Sequence, residues 1–218
     1  GFCGKKMQKQ AKPGRLILVL ATFASFAPLA ITLMDLVSGK LNANPLQDAT
    51  FRTGNTAITL LLISMACSPA NAIFGWRPAI TLRKWIGLYA FAYGVIHFAL
   101  FTFDNGYIDR AIDLAAIRDA ITEKPYALVG LVVLLILIPL AITSTKGWQR
   151  RLGKRWKTLH NTVYAACVLA VIHWIWLVKG DLREPTIYAA ILAALLLVRI
   201  PAVKRALIST RQRLMRHS

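Results

Sequence analysis

Three histidines stand within or beside long apolar runs of this sequence: His97, His160 and His173. An ionisable side chain inside a run long enough to cross a membrane is costly to bury, so each of these residues is a candidate for function. Imidazole is a common axial ligand of haem iron, and two imidazoles on opposite faces leave the iron no open position. Such a pair would suit electron transfer better than the activation of oxygen or of a substrate.

His97 and His173 have matched positions in their apolar runs. His97 lies 14 residues after Arg83, and His173 lies 16 residues after Lys157. At 1.5 Å per residue, each is about 21–24 Å beyond the basic residue that begins its run. Two imidazoles at equal depth on neighbouring helices could hold one haem iron between them. The residues alone leave two alternatives open, a hydrogen bond between helices and a place in a proton path.

His160 precedes His173 by 13 residues, which places it about 20 Å closer to the start of the helix, a suitable depth for a second redox centre. At 100° per residue the two side chains are about 140° apart, so they face one interior only if the helix is distorted or their sites differ in direction. The run that holds His97 has no second histidine, but Arg83 lies about 40° from His97 around the helix. Arg83 could contact a haem propionate or lie near an inner iron, and Lys84 is the other basic residue at that depth. The alternative for His160 is an interfacial residue without a ligand.

The composition indicates the elements that position these residues. The chain has 218 residues, of which 56% are hydrophobic, with a mean hydropathy of +0.53 and a net charge of +18. Soluble domains are usually about 45–50% apolar, so an all-α, polytopic membrane protein of a single domain is predicted. The basic residues are spread over several loops, which disfavours nucleic-acid binding. Apolar runs predict six transmembrane helices at about residues 15–37, 51–68, 83–103, 126–145, 158–178 and 186–203.

The segment between spans 3 and 4, residues 104–124, has apolar residues at helical spacing with acids between them. This pattern predicts a short amphipathic helix at the membrane interface. The first span follows basic residues as a signal peptide would, but its apolar run is too long for one, so we expect a retained helix.

Charge predicts the orientation of the bundle. If the N-terminus is cytoplasmic, both termini and the loops 69–82 and 146–157 share that side, and together they hold most of the 27 basic residues. All nine acidic residues fall on or near the other side. The positive-inside rule therefore predicts an N-in, C-in topology. The basic loop 146–157 either serves topology and anionic lipid or docks an anionic flavin phosphate or an acidic reductase.

The remaining candidates are less specific. Cys67 and Cys167 lie in predicted spans, Cys3 lies near the N-terminus, and no metal-binding spacing links them, so free thiols are expected. His217 is expected to be a solvated tail residue. Six aromatic residues could line a haem pocket or simply pack between helices: Tyr89, Phe91, Tyr93, Phe98, Tyr164 and Trp174.

Three segments of the sequence resemble one family closely. They are TSTKGWQRRLGKRWKTLHNTVYAACVLAVIHWIWLVK, RKWIGLYAFAYGVIHFALF and NPLQDATFRTGNTAITLLL. They are similar to the MsrQ (YedZ) family, the haem b membrane subunits of a bacterial system that repairs oxidised methionine in periplasmic proteins. That family belongs to the broader ferric reductase-like transmembrane group. The pattern LGxxWxxLHxxVY with a following IH carries most of the resemblance, which extends from span 1 to span 6.

The resemblance implies a multi-pass subunit of the bacterial inner membrane that transfers electrons without being the catalytic subunit. Electrons would enter from a cytoplasmic flavin reductase or from quinol, with FMN possible as a cofactor. They would pass through one or two haem b groups to a periplasmic MsrP-like molybdopterin reductase of methionine sulfoxide. His97 and His173 match the family's outer haem ligands, His160 matches its third histidine, and Arg83 matches an arginine linked with the inner site.

The sequence is also compatible with two other functions. One is a self-sufficient, haem-dependent ferric or quinone reductase, and the other is a proton-coupled transporter without haem. In larger ferric reductases and NADPH oxidases each of two helices supplies two histidines, whereas span 3 here supplies only one. We expect no flavin or nicotinamide domain after span 6, and this expectation favours an electron conduit with separate partners.

Overall fold

The computed structural model describes residues 15–108, 111–178 and 180–214. These residues form ten α-helices and one antiparallel ladder of two short strands, β1 and β2, in which Tyr107 pairs with Ile112. The elements are α1 Arg15–Val37, α2 Pro45–Phe74, α3 Pro78–Gly106, β1 Tyr107–Ile108, β2 Ala111–Ile112, α4 Leu114–Thr122, α5 Pro125–Ile142, α6 Lys146–Leu152, α7 Lys154–Asn161, α8 Val163–Leu177, α9 Arg183–Leu197 and α10 Pro201–Leu214.

Long apolar helices dominate the described chain, which confirms the predicted all-α, polytopic membrane class. Five segments are long and apolar enough to cross a membrane: α1, α2, α3, α5 and the segment Lys154–Leu177. The sixth predicted span is bent by 82° between α9 and α10, so it counts as a span only if the two helices act together. The N-in, C-in orientation stays a prediction.

The predicted loop 69–82 is wrong, because most of it is helical. α2 continues past Pro69 to Phe74 and is capped by Gly75, whose φ of 67° is left-handed and whose N–H donates to the carbonyl of Asn71. α3 then starts with Pro78 in its first turn, where a missing N–H costs no hydrogen bond. The glycine therefore stops the helix, and the proline within it does not.

The basic segment 146–157, predicted as a loop, is also helical. It forms α6 and the first half of α7, joined at Gly153 with a φ of 52°. Lys, Arg and Gln are good helix formers, so a polar segment of this composition can be helical. The helix that carries His160 and His173 has a local irregularity at Thr162, between α7 and α8, where the N–H of Thr162 donates to the carbonyl of Leu159.

The short helix predicted within residues 104–124 is confirmed only in the second half of that segment, as α4, because the first half ends α3 and forms β1 and β2. The Asp113 side chain caps its N-terminus by accepting from the backbone N–H groups of Ala115 and Ala116, at 2.8 and 3.1 Å. Its position at a membrane interface stays a prediction.

α2 packs along α3, and α5 packs along α8, with a core in which Met65, Ala90, Ala166 and Cys167 are almost fully buried. Cys67 and Cys167 are free thiols, as predicted. Cys3 and His217 lie outside the described residues.

A hydroxyl group on α3 forms two hydrogen bonds with the backbone of α1. Next to Pro28, the Tyr93 hydroxyl accepts from the N–H of Leu29 at 3.0 Å and donates to the carbonyl of Ser25 at 2.8 Å. The hydroxyl thus contacts the backbone groups beside the proline, and neighbouring helices commonly support a membrane helix at such a residue.

Candidate functional site

His97 on α3 and His173 on α8 face each other, with ring centroids 6.1 Å apart and ring planes at 87°. Both line a cavity of about 670 Å³ between α2, α3, α5 and α8. A volume of several hundred Å³ is typical of cofactor and ligand pockets. The structure thus brings together the two histidines that the sequence placed at equal depth.

Both imidazoles are held by main-chain carbonyl groups. The Nδ1 of His97 lies 2.8 Å from the carbonyl oxygen of Thr50 on α2, and the Nδ1 of His173 lies 2.6 Å from that of Tyr126 on α5. A carbonyl oxygen only accepts, so each Nδ1 carries the proton and each Nε2 keeps its lone pair. Histidines that bind metals usually donate their other ring N–H in this way.

The cavity has apolar walls and a polar mouth. Two of the six aromatic candidates, Phe98 and Trp174, line it. Tyr89 and Tyr93 instead bond to α1, and Tyr164 bonds to Arg199. The polar residues of the walls and mouth include Gln47, Arg52, Asn55, Asp104, Asn105, Lys124, Asp181 and Glu184.

Lys124 differs from the other basic residue of the cavity. Its Nζ lies 2.9 Å from the Oδ1 of Asn105 and 5.8 Å from the ring centroid of Phe101. Arg52 is paired with Asp35 at 2.6 Å and with Asp48 at 3.3 Å. Among the described residues, no carboxylate oxygen lies within 4.0 Å of the Lys124 ammonium, so this group has no direct ion-pair partner and could bind an anionic group in the cavity.

The donor set indicates what the cavity can hold. In the described ranges no three His, Cys, Asp or Glu residues come together to bind a metal ion by themselves. Iron in a porphyrin obtains four nitrogens from the macrocycle and needs only axial ligands from the protein. The facing pair His97 and His173 supplies two imidazole rings with centroids 6.1 Å apart, so the donor set fits a haem better than a bare ion.

His160 has different surroundings. The hydroxyl of Thr143 donates to the carbonyl of Pro139 at 2.6 Å and lies 3.0 Å from the Nε2 of His160. The hydroxyl proton is used, so His160 is the donor and its Nε2 is occupied. The ring also stacks on Trp156, at 4.0 Å between centroids, and the indole N–H donates to the carbonyl of Thr143 at 2.9 Å.

Arg83 is not part of the cavity, and neither is His160. The Nη1 of Arg83 donates to the hydroxyl of Ser68 at 2.8 Å, and its carbonyl accepts from the hydroxyl of Ser64 at the same distance. Arg83 lies near the start of α3 and His160 lies on α7, before α8; since α3 and α8 both end at the cavity, the two residues lie toward the other end of the bundle. The structure therefore separates the four predicted site residues into a facing pair and a second, looser group.

Several contacts of this second group and of the cavity were not predicted from the sequence. Arg199, at the bend after α9, donates to the hydroxyl of Tyr164 at 2.9 Å and to the carbonyl of Met65 at 2.8 Å. Its Nε is buried and, in the described part of the chain, has no partner. The sequence signal for Arg199 was its position, as an arginine at the end of an apolar run. For Lys124 and Thr143 the sequence offered none, because their roles depend on neighbouring helices.

The fold and the cavity define a class: a multi-pass helical membrane protein with two facing histidines between two helix pairs. Residues 53–171 match the family described as ferric reductase like transmembrane component. That match begins in α2, ends in α8 and includes His97 and His160.

Relatives carry the name protein-methionine-sulfoxide reductase heme-binding subunit MsrQ. One from Rhodospirillum rubrum is 40% identical over 204 residues, covering 93% of this chain and 95% of the relative. One from Xanthomonas campestris is 42% identical over 181 residues, covering 83% and 79%. One from Deinococcus radiodurans is 40% identical over 179 residues, covering 82% and 86%. The chain belongs to the ferric reductase-like transmembrane family and, within it, to the MsrQ group; no solved structure matches it.

Proposed function

We propose that this chain is a haem-binding membrane subunit that passes electrons to a methionine sulfoxide reductase. The observation that carries the proposal is the facing pair His97 and His173, with both Nε2 lone pairs free and a cavity between the helix pairs. The names of the relatives support the haem and the reductase system.

The residues of the cavity fit one haem b. The group would supply one-electron redox chemistry when bound. His97 and His173 would hold the iron through their Nε2 atoms, an arrangement that suits electron transfer better than the activation of oxygen or of a substrate. Apolar walls that include Phe98 and Trp174 would keep water away, and that environment tunes the reduction potential.

Lys124 is the residue best suited to a haem propionate. Its ammonium lies on the cavity wall without a carboxylate partner among the described residues. A charge-assisted hydrogen bond to a carboxylate is about twice as strong as a neutral one. The neighbouring amide of Asn105 would hold the lysine in place.

We place the cavity on the periplasmic side and the basic helices α6 and α7 on the cytoplasmic side of the inner membrane. The distribution of Lys and Arg supports this orientation. Electrons would then enter from a cytoplasmic flavin reductase or quinol, with FMN as a possible intermediate carrier. They would leave to a periplasmic, MsrP-like molybdopterin reductase.

Arg83 and His160 form the candidate inner station, which would bring the number of haems to two. For His160 to bind iron through Nε2, it must give up its hydrogen bond to Thr143. Arg83 would contact a propionate or lie near the iron.

The proposal is tested on the purified chain after expression with added haem. A pyridine haemochrome assay and a reduced-minus-oxidised spectrum should show haem b. The reduced chain is then mixed with an MsrP-like reductase and methionine sulfoxide, with methionine as the matched control. We expect rapid reoxidation with the sulfoxide only. Absence of haem overturns the proposal, and reoxidation by ferric chelate but not through the reductase would favour a self-sufficient reductase instead.

A further inference from the structure

The contacts of His97 recur at His173 with the same sequence spacing. Thr50, whose carbonyl binds His97, precedes it by 47 residues, and Tyr126 precedes His173 by the same 47. A glycine follows each of these carbonyl residues by four positions, Gly54 on α2 and Gly130 on α5. The two sets are related by a shift of 76 residues along the chain.

Each glycine lies directly against the histidine ring. A Cβ built on Gly54 would lie 2.8 Å from the Nδ1 of His97 and 2.9 Å from its Cε1. A Cβ on Gly130 would lie 2.9 Å from the Cε1 of His173 and 3.0 Å from its Nδ1. These distances are too short for ordinary contact, so any side chain at either position would displace the imidazole.

The absence of a side chain explains how each ring reaches its acceptor. In an α-helix the carbonyl of one residue points along the axis toward the N–H of the fourth residue after it. The carbonyls of Thr50 and Tyr126 therefore point toward Gly54 and Gly130. An imidazole can approach such a carbonyl from the side only where the residue beside it has no Cβ.

The repeat extends beyond the glycines. Ala90 on α3 and Ala166 on α8 have the same shift of 76 residues, and they are 1% and 0% exposed. α2 and α5 both start at the cavity, whereas α3 and α8 both end there. The pairs α2–α3 and α5–α8 thus have the character of a parallel internal repeat, each copy contributing one histidine.

We propose that Gly54 and Gly130 are positioning residues of a histidine clasp that occurs twice in the chain. Each clasp consists of one glycine, one main-chain carbonyl group and one imidazole ring. Each glycine admits an imidazole to a helix carbonyl, which fixes the proton on Nδ1 and directs Nε2 into the cavity. The inference rests on the proposed function, because it assigns to these glycines the orientation of the haem ligands. A carbonyl acceptor on Nδ1 also makes the ring a stronger donor to iron, which favours the ferric state.

The test compares Gly54→Ala and Gly130→Ala with Gly147→Ala in the full-length, purified chain. Gly147 is also helical, on α6, and a Cβ there would have an ordinary contact at 3.9 Å with Thr145. Three properties are measured: the haem content, the midpoint potential by redox titration, and the low-spin ferric signal by electron paramagnetic resonance. We expect the first two variants to lose at least half of the haem, or to keep it with a raised potential and an altered signal. Gly147→Ala should match the wild type.

A double-mutant cycle separates a displaced ring from a failure to fold. All three nearest atoms to a Cβ on Gly54 belong to His97, so the clash should vanish when that ring is removed. Gly54→Ala should therefore lower the thermal unfolding temperature of the wild type but not that of His97→Ala. The same holds for Gly130→Ala and His173→Ala.

Wild-type potential and resonance signal in both alanine variants would overturn the clasp while leaving the haem proposal intact. Equal losses of stability with and without the histidine ring would also overturn it. A wild type without haem would instead overturn the proposed function, and the stability cycle would still report whether the glycines position the rings.

Discussion

The histidines at the two ends of the bundle have different hydrogen bonds. At the cavity, His97 and His173 donate from Nδ1 to carbonyl groups and leave Nε2 free. At the other end, His160 uses its Nε2 on the hydroxyl of Thr143 and stacks on an indole ring. The first arrangement is ready to bind a metal, whereas the second must rearrange first. A histidine in a membrane helix is therefore a stronger ligand candidate when its hydrogen bonds leave the ligating nitrogen open.

The largest expected effect comes from removing the facing histidines. His97→Ala or His173→Ala should abolish haem binding in the cavity, because one axial ligand and one wall contact are lost together. His160→Ala should keep the spectrum and midpoint potential of the cavity haem. Pyridine haemochrome assays and redox titrations of the three variants measure this. If His97→Ala and His173→Ala both keep the cavity haem, the proposed difference between the two ends of the bundle is wrong.

A smaller effect is expected from the unpaired lysine of the cavity. Lys124→Met should weaken haem binding by about ten- to a hundredfold, because a charge-assisted hydrogen bond contributes about 1.5–3 kcal/mol. Haem titration of the haem-depleted chain measures the affinity. Lys204→Met, on the exposed face of α10, is the control and should have no effect. Equal affinities in both variants would show that Lys124 does not hold a propionate.

The smallest effect concerns the surroundings of His160. Thr143→Val removes the acceptor of the His160 Nε2–H and should lower the free energy of unfolding by about 1 kcal/mol. The total haem content should not fall, because a freed Nε2 is better able to bind iron. Thermal unfolding and haem assays check both points. Thr186→Val removes a similar hydroxyl at an exposed site and serves as the control. Loss of haem in Thr143→Val alone would mean that this hydrogen bond supports the inner site.

Depth along a helix could be predicted from the sequence, and so could the pairing of His97 with His173. Both follow from a fixed rise per residue and from hydropathy, which also predicted the bounds of α1 at Arg15 and Val37. Contacts across helices could not be predicted in the same way. The bond of His160 to Thr143 depends on how α5 and α7 approach each other, and no local pattern encodes that approach.

Two element boundaries were wrong for different reasons. Pro69 favours a loop locally but lies inside α2. The basic segment 146–157 was predicted as a loop from its charge, although Lys, Arg and Gln are good helix formers. The duplicated spacing of Gly54 and Gly130 ahead of their histidines was visible in the sequence. This spacing can be interpreted only when the carbonyl group that accepts from each imidazole is known.

The acceptors of His97 and His173 belong to the main chain, and this has a consequence for mutational tolerance. No substitution at Thr50 or Tyr126 can delete a carbonyl oxygen, so the side chains there are free to vary without loss of the acceptor. Sensitivity is concentrated instead at the two glycines and the two histidines. A saturation library of α2 and α5 should therefore show sharp intolerance at Gly54 and Gly130 beside broad tolerance at the acceptor positions. Designers of membrane redox proteins could copy this division, since it fixes a ligand without adding a buried polar side chain.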